Sequence, residues 1–189
     1  MFLLDSNVFI NASRLYYAPD IAPTFWSWLS DQHQQGNIAS VLRVKNEIDD
    51  GKMGHLKKWA SGLSNSFWLR PNVGAMDSMR QFSDWVMHPG RPYFASARSE
   101  FLRVADCYIV AQAHSAGSEV VTFEQPAPFS KRRVLIPDAC GAMGSPTGSP
   151  SECTDGSACG SSRAPAPPRG SGCTRSGRGG RGAPRPGSR

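Results

Sequence analysis

The sequence predicts an α/β fold on a mostly parallel sheet, and three observations predict it. Short apolar runs of strand length recur at Phe2-Leu3-Leu4, Phe67-Trp68-Leu69, Val120-Val121-Thr122-Phe123 and Arg133-Val134-Leu135-Ile136. Longer stretches with apolar residues at helical spacing lie between most of them. Turn and cap residues separate the two kinds of segment. Strands alternating with helices pair in parallel and are covered on both faces, which implies a sheet of about four or five strands.

Taken in order, Phe2-Leu3-Leu4 suits a buried first strand that stops at the turn chemistry of Asp5-Ser6-Asn7, and Val8-Phe9-Ile10 begins a helix or turn. Asp20-Ile21-Ala22-Pro23 starts the next helix, with Pro23 in its first turn, Phe25, Trp26, Trp28 and Leu29 on its apolar face, and Gly36-Asn37 as its stop. Ser40 is expected to cap a helix from Val41 to about Ile48, ended by Asp49-Asp50-Gly51. Leu56, Trp59 and Leu63 mark a short helix, and the strand at Phe67 is closed by Pro71. Met76, Met79, Phe82, Trp85 and Val86 share a helix face, and His88 to Pro92 form a loop. The longest helix is expected from Ser96 to about Ser115, with Gly117 as its stop.

Composition divides the chain in two. Beyond Gly144 there is no Val, Ile, Leu, Met, Phe, Trp or Tyr, and 33 of the 45 residues from 145 to 189 are Gly, Ser, Pro or Arg. Such a segment buries too little apolar surface to offset the entropy of ordering it. The expectation is a folded domain over 1–144 and a disordered tail over 145–189. The tail's Gly/Pro/Arg/Ala/Ser content also matches GC-rich coding sequence read out of frame. This gives the hypothesis of a frameshifted terminus just after Cys140, which resequencing the gene tests. The tail holds seven Arg against Glu152 and Asp155, so +5 of the overall +6 belongs to it and +1 to the domain. Basicity is therefore no sign of a nucleic-acid face on the domain.

The five cysteines are odd in number and lack the paired short spacing of a zinc site. The apolar start is short and runs into Asp5, so no secretory leader is expected. No apolar run approaches membrane-spanning length, and a cytoplasmic protein is the expectation.

Four acids lie beside these elements: Asp5 after the first strand, Glu47 on a helix, Asp106 on the long helix, and Glu124 closing the run Glu-Val-Val-Thr-Phe-Glu. In parallel sheets sites form at the carboxyl ends of strands, where Asp5 and Glu124 are expected. Crowded carboxylates are costly without a cation, so a convergent set reads as a divalent-metal site. Each acid also has a plain structural role to weigh. Asp5 can cap a helix, Glu47 can sit solvated on an amphipathic face, and Glu124 can merely end a strand. Asp138 after Pro137 is expected to cap the last helix. His33, His55, His88 and His114 show no ligand spacing.

Leu3-Leu4-Asp5-Ser6-Asn7-Val8-Phe9-Ile10 resembles the opening of PIN-domain nucleases. Val104 to Ala113 resembles the helix that carries their third acid. Val120-Val121-Thr122-Phe123-Glu124 resembles the following strand, with Glu124 where that family has Asp. Together with Tyr16-Tyr17, the Phe25-Trp26-Trp28 helix and Ile136-Pro137-Asp138, the chain looks like an uncharacterised PIN-like subfamily close to VapC-type toxins. The resemblance covers about residues 1–144 and implies a three-layer α/β/α fold. It implies a Mg²⁺- or Mn²⁺-dependent endoribonuclease held in check by a cognate antitoxin, and it permits a homodimer. Carried over by position, Asp5, Glu47, Asp106 and Glu124 would be metal ligands, and Asn7 and Thr122 would orient ligands or water. Lys131, Arg132 and Arg133 form a basic run that could touch RNA phosphates. The alternative is a catalytically inactive protein of the same fold that binds RNA or a protein partner. A phosphatase or nucleotide-binding protein fits less well. Asn7 stands where a second Asp would follow Asp5, and no Gly-rich phosphate loop follows a strand.

Overall fold

A computed structural model describes residues 1–150. Five parallel strands form one sheet in the order β3-β2-β1-β4-β5: β1 (Phe2–Leu4), β2 (Ile38–Val41), β3 (Trp68–Leu69), β4 (Glu119–Val121) and β5 (Thr147–Gly148). Eight α-helices flank it: α1 (Ser6–Asn11), α2 (Pro23–Gln34), α3 (Leu42–Asp50), α4 (Gly54–Gly62), α5 (Val73–Met87), α6 (Ala95–Arg103), α7 (Ala105–Ala116) and α8 (Ile136–Ala142). The α/β class and the three-layer arrangement with an all-parallel sheet are those expected from the sequence.

The central strand β1 is buried at every residue, as a strand covered on both faces must be. Its register places Leu4 opposite Val121, and the Asp5 amide continues the pairing by donating to the Val121 carbonyl at 3.1 Å. Asp5 and Thr122 therefore leave the carboxyl edge of the sheet side by side. An aromatic cluster of Phe9, Trp26, Trp59, Phe67 and Trp68 anchors α1. Phe9 is fully buried two positions after Asn7, so packing of α1 fixes the turn that carries Asp5, Ser6 and Asn7.

Several elements differ from expectation. Ser40 caps nothing: it is a buried residue of β2, and its hydroxyl donates to the Leu4 carbonyl at 2.6 Å, so α3 begins at Leu42. The long helix expected over 96–115 is two helices. Val104 is extended (φ −87°, ψ 174°), ending α6 and opening α7. Residues 133–135 form no strand; Ile136 opens α8 instead. The fifth strand is β5, in a stretch expected to be tail. Its backbone carries the pairing, with Val120 donating to the Pro146 carbonyl and Thr122 to the Gly148 carbonyl, each at 3.2 Å. The fold thus runs past Gly144, while the expected disorder and frameshift of the remaining tail lie outside the described residues. Met76 and Phe123, expected in the core, are 55% and 42% exposed. Gly117 ends α7 as expected, in the left-handed conformation (φ 58°) that suits glycine.

Candidate active site

The four acids come from four places around the sheet's carboxyl edge, and the fold brings their charges together. Asp5 is 1% exposed. One of its oxygens accepts from the Ser6 amide at 2.7 Å, capping α1, and the other accepts from the Thr122 hydroxyl at 3.0 Å. One carboxylate therefore both caps α1 and ties it to the residue that follows β4. The Thr122 hydroxyl in turn accepts from the Glu124 amide at 3.1 Å, which ties the turn after β4 to Asp5.

Asp106 owes its position to the break at Val104, which sets it in the first turn of α7, where backbone amides and the helix dipole favour negative charge. Glu47, on α3, accepts from the Ala105 amide at 3.3 Å and so holds the same helix start. Glu124 lies three residues beyond the end of β4 rather than at it. One of its oxygens accepts from the Ile136 amide at 2.8 Å and the other from the Arg133 guanidinium at 3.0 Å. Arg133 also stands 4.0 Å from Asp106.

A cleft of about 190 Å³ opens beside Glu47 and Asp106, lined also by Ser6, Asn7, Glu100 and Arg133; Asp5 and Glu124 are not part of its lining, and Glu124 lines a neighbouring pocket with Thr122. Burial pushes the Asp106 carboxyl up to about 7, and the charges of Asp5, Glu124 and Glu47 push the same way against Arg133. Burial likewise raises Asp5 to about 6, opposed by its bonds from Thr122 and Ser6 and reinforced by Glu124 and Glu47. Asp106 thus feels the other three acids, and Asp5 feels Glu124 and Glu47. Raised carboxyls in a cleft mark a candidate functional site.

Among the described residues no group of three or more His, Cys, Asp or Glu side chains is placed to hold a metal ion. The donor set nonetheless fits a hard divalent cation, being all carboxylate oxygen. Arg133 is the positive charge that already bridges Glu124 and Asp106.

The remaining expected site residues divide. The Thr122 hydroxyl donates to Asp5. Asn7 lines the cleft, and its amide makes no hydrogen bond among the described residues. Lys131 and Arg132 are exposed and lie outside the cleft lining, while Arg133 belongs to the acid cluster. Asp138 sits inside the first turn of α8 rather than capping it. Its two oxygens accept from the Ala127 amide at 3.1 Å, which pins the loop before Arg133. Sequence reasoning missed Ser6 as a lining residue and Arg133 as the partner of Glu124. The signal for the second was an Arg nine positions after an acid with a turn between them.

Residues 2–154 match the family described as Domain of unknown function (DUF4411), and the chain belongs to that family. Comparison with curated proteins and with solved structures yields no match.

Proposed function

We propose that this protein is a metal-dependent endoribonuclease that hydrolyses RNA phosphodiester bonds in the cytoplasm. The proposal includes its role as the toxin of a toxin–antitoxin pair, with a cognate antitoxin as partner. One observation carries it: Asp5 and Asp106, on separate elements, lie near enough to Glu47 and Glu124 at the carboxyl edge of a parallel sheet that both carboxyls, raised first by burial, are raised further by neighbouring acids. The resemblance of the Leu3–Ile10 segment to PIN-domain nucleases supports the reaction class.

Asp5, Glu47, Asp106 and Glu124 would hold Mg²⁺ or Mn²⁺. The cation would supply charge to a phosphodiester oxygen and acidify a water. Thr122 fixes the Asp5 rotamer, and Glu47 holds the start of α7, so two ligands are oriented before a cation arrives. Asn7, with its amide free at the cleft, is placed to hydrogen-bond water or a phosphate oxygen. Among the described residues no helix is long and apolar enough to cross a membrane.

The decisive assay incubates an RNA pool with the protein and Mn²⁺. The wild type should cleave. Asp5→Asn and Asp106→Asn should each lose more than the ~10–100-fold typical of outer-sphere partners while staying folded. Full activity in both variants would reject the reading. The second reading, an inactive binder of RNA or protein, draws on Arg133, whose guanidinium already partly neutralises the cluster. RNA binding without cleavage at any metal concentration would favour it.

A further inference from the structure

The helices α3 and α7 that carry Glu47 and Asp106 also frame a second cavity, of about 320 Å³. It opens at the carboxyl ends of β2 and β3, where Val41 and Leu69 form part of an apolar wall. Its size lies at the lower end of the ~300–1,000 Å³ range of small-molecule sites.

Two features say what would fill it. Gln112 lines the cavity from α7 and is 6% exposed, yet its amide has no hydrogen-bond partner among the described residues. Its amide nitrogen and oxygen are not among the fully buried unpaired atoms, so they keep access to solvent at the cavity they line and leave a donor and an acceptor open there. At the rim, the Arg43 guanidinium lies 4.7 Å from the centre of the Tyr108 ring and donates to the Tyr108 hydroxyl at 3.1 Å. A flat cation held on an aromatic ring is a stacking platform. An apolar slot, a free amide in its wall and a planar rim suit a flat, uncharged ligand with donors and acceptors along one edge.

We propose that this cavity is a nucleobase subsite, taking one base of the RNA strand whose phosphate lies at the acid cleft. Gln112 meets the hydrogen-bonding edge of the base, and the Arg43–Tyr108 pair covers a face. Asn46 lines the same cavity from α3, one residue before Glu47, so base and phosphate would be held by neighbouring residues of one helix. The placement of the phosphate rests on the nuclease reading; recognition of the base does not.

The test uses the full chain without added metal, titrated with adenosine, guanosine, cytidine and uridine while NMR follows the side-chain amide of Gln112. These probes carry no phosphate, so they avoid the acid cluster and need no catalysis. At least one nucleoside should shift the Gln112 resonance saturably. With affinity read by calorimetry, since the first variant lacks that amide, Gln112→Leu, close in shape within an apolar wall, should weaken that binding at least ~10-fold relative to the wild type, and Arg43→Ala, at an exposed position, should weaken it severalfold. Four nucleosides that leave the resonance unmoved, or equal binding by both variants, would overturn the proposal. Nucleoside binding by a protein that cleaves no RNA would uphold the subsite and reject the nuclease reading alone.

Discussion

At the scale of single residues, Arg133 and Asp106 show how the site balances its charge. Arg133 stands between Glu124 and Asp106, but its side chain is 59% exposed, so the pair with Glu124 is weak and easily exchanged. A divalent cation at the proposed site would compete with this guanidinium for the same carboxylates. Arg133→Ala should therefore tighten Mn²⁺ binding by roughly two- to fivefold, the worth of a part-exposed ion pair, as read by calorimetry. Weaker binding in the variant would show that Arg133 supports the site rather than competing for it. Asp5 and Asp106 stand out in the sequence because each follows or interrupts an apolar run, although Asp5 also caps α1. Arg133 does not, because its partner is set by a loop whose course depends on Asp138 gripping the Ala127 amide.

At the scale of elements, the junction at Val104 decides the geometry. The apolar spacing across 96–115 is continuous enough to read as one helix, yet the chain breaks there and gives α7 its own amino end. Glu47 reaches across from α3 to bond the Ala105 amide at that end. This gives Glu47 two separable roles, an acceptor for the helix start and a negative charge in the cluster. Glu47→Gln keeps the acceptor and should hold thermal stability while weakening Mn²⁺ binding. Glu47→Ala loses both and should also cost about 0.5–2 kcal/mol, as loss of a helix cap does, in chemical denaturation. Equal stability of the two variants would remove the structural half of that account. The strands β2 and β5 were illegible for different reasons. Ser40 resembles a cap until the Leu4 carbonyl takes its hydroxyl, and the Thr147–Gly148 strand pairs through backbone groups that composition does not reveal.

At the scale of the whole molecule, burial of the cluster couples folding to pH. In the unfolded chain the carboxyls of Asp5 and Asp106 ionise near 3.8, whereas in the fold they keep their protons up to about 6 and about 7. The native state therefore binds more protons over that interval. The stability of the metal-free protein, as set by this pair, is greatest below the unfolded value of 3.8, falls as pH rises towards about 7, and levels off above it. Denaturation with chelator present should show a loss of at least ~1 kcal/mol between pH 5 and pH 7.5. Asp106→Asn should flatten that slope, and a wild-type slope already flat would contradict the burial argument. Added Mn²⁺ should restore stability at pH 7.5, because a ligand that binds only the folded state stabilises it.

The central claim is that four acids from separate elements make one cation site, and Mn²⁺ binding measured by calorimetry on chelator-treated protein at pH 7.5 tests it most directly. The account predicts saturable binding that Asp5→Asn and Asp106→Asn each weaken at least ~10-fold, with circular dichroism unchanged. No saturable binding, or equal affinity in the wild type and both variants, would contradict it.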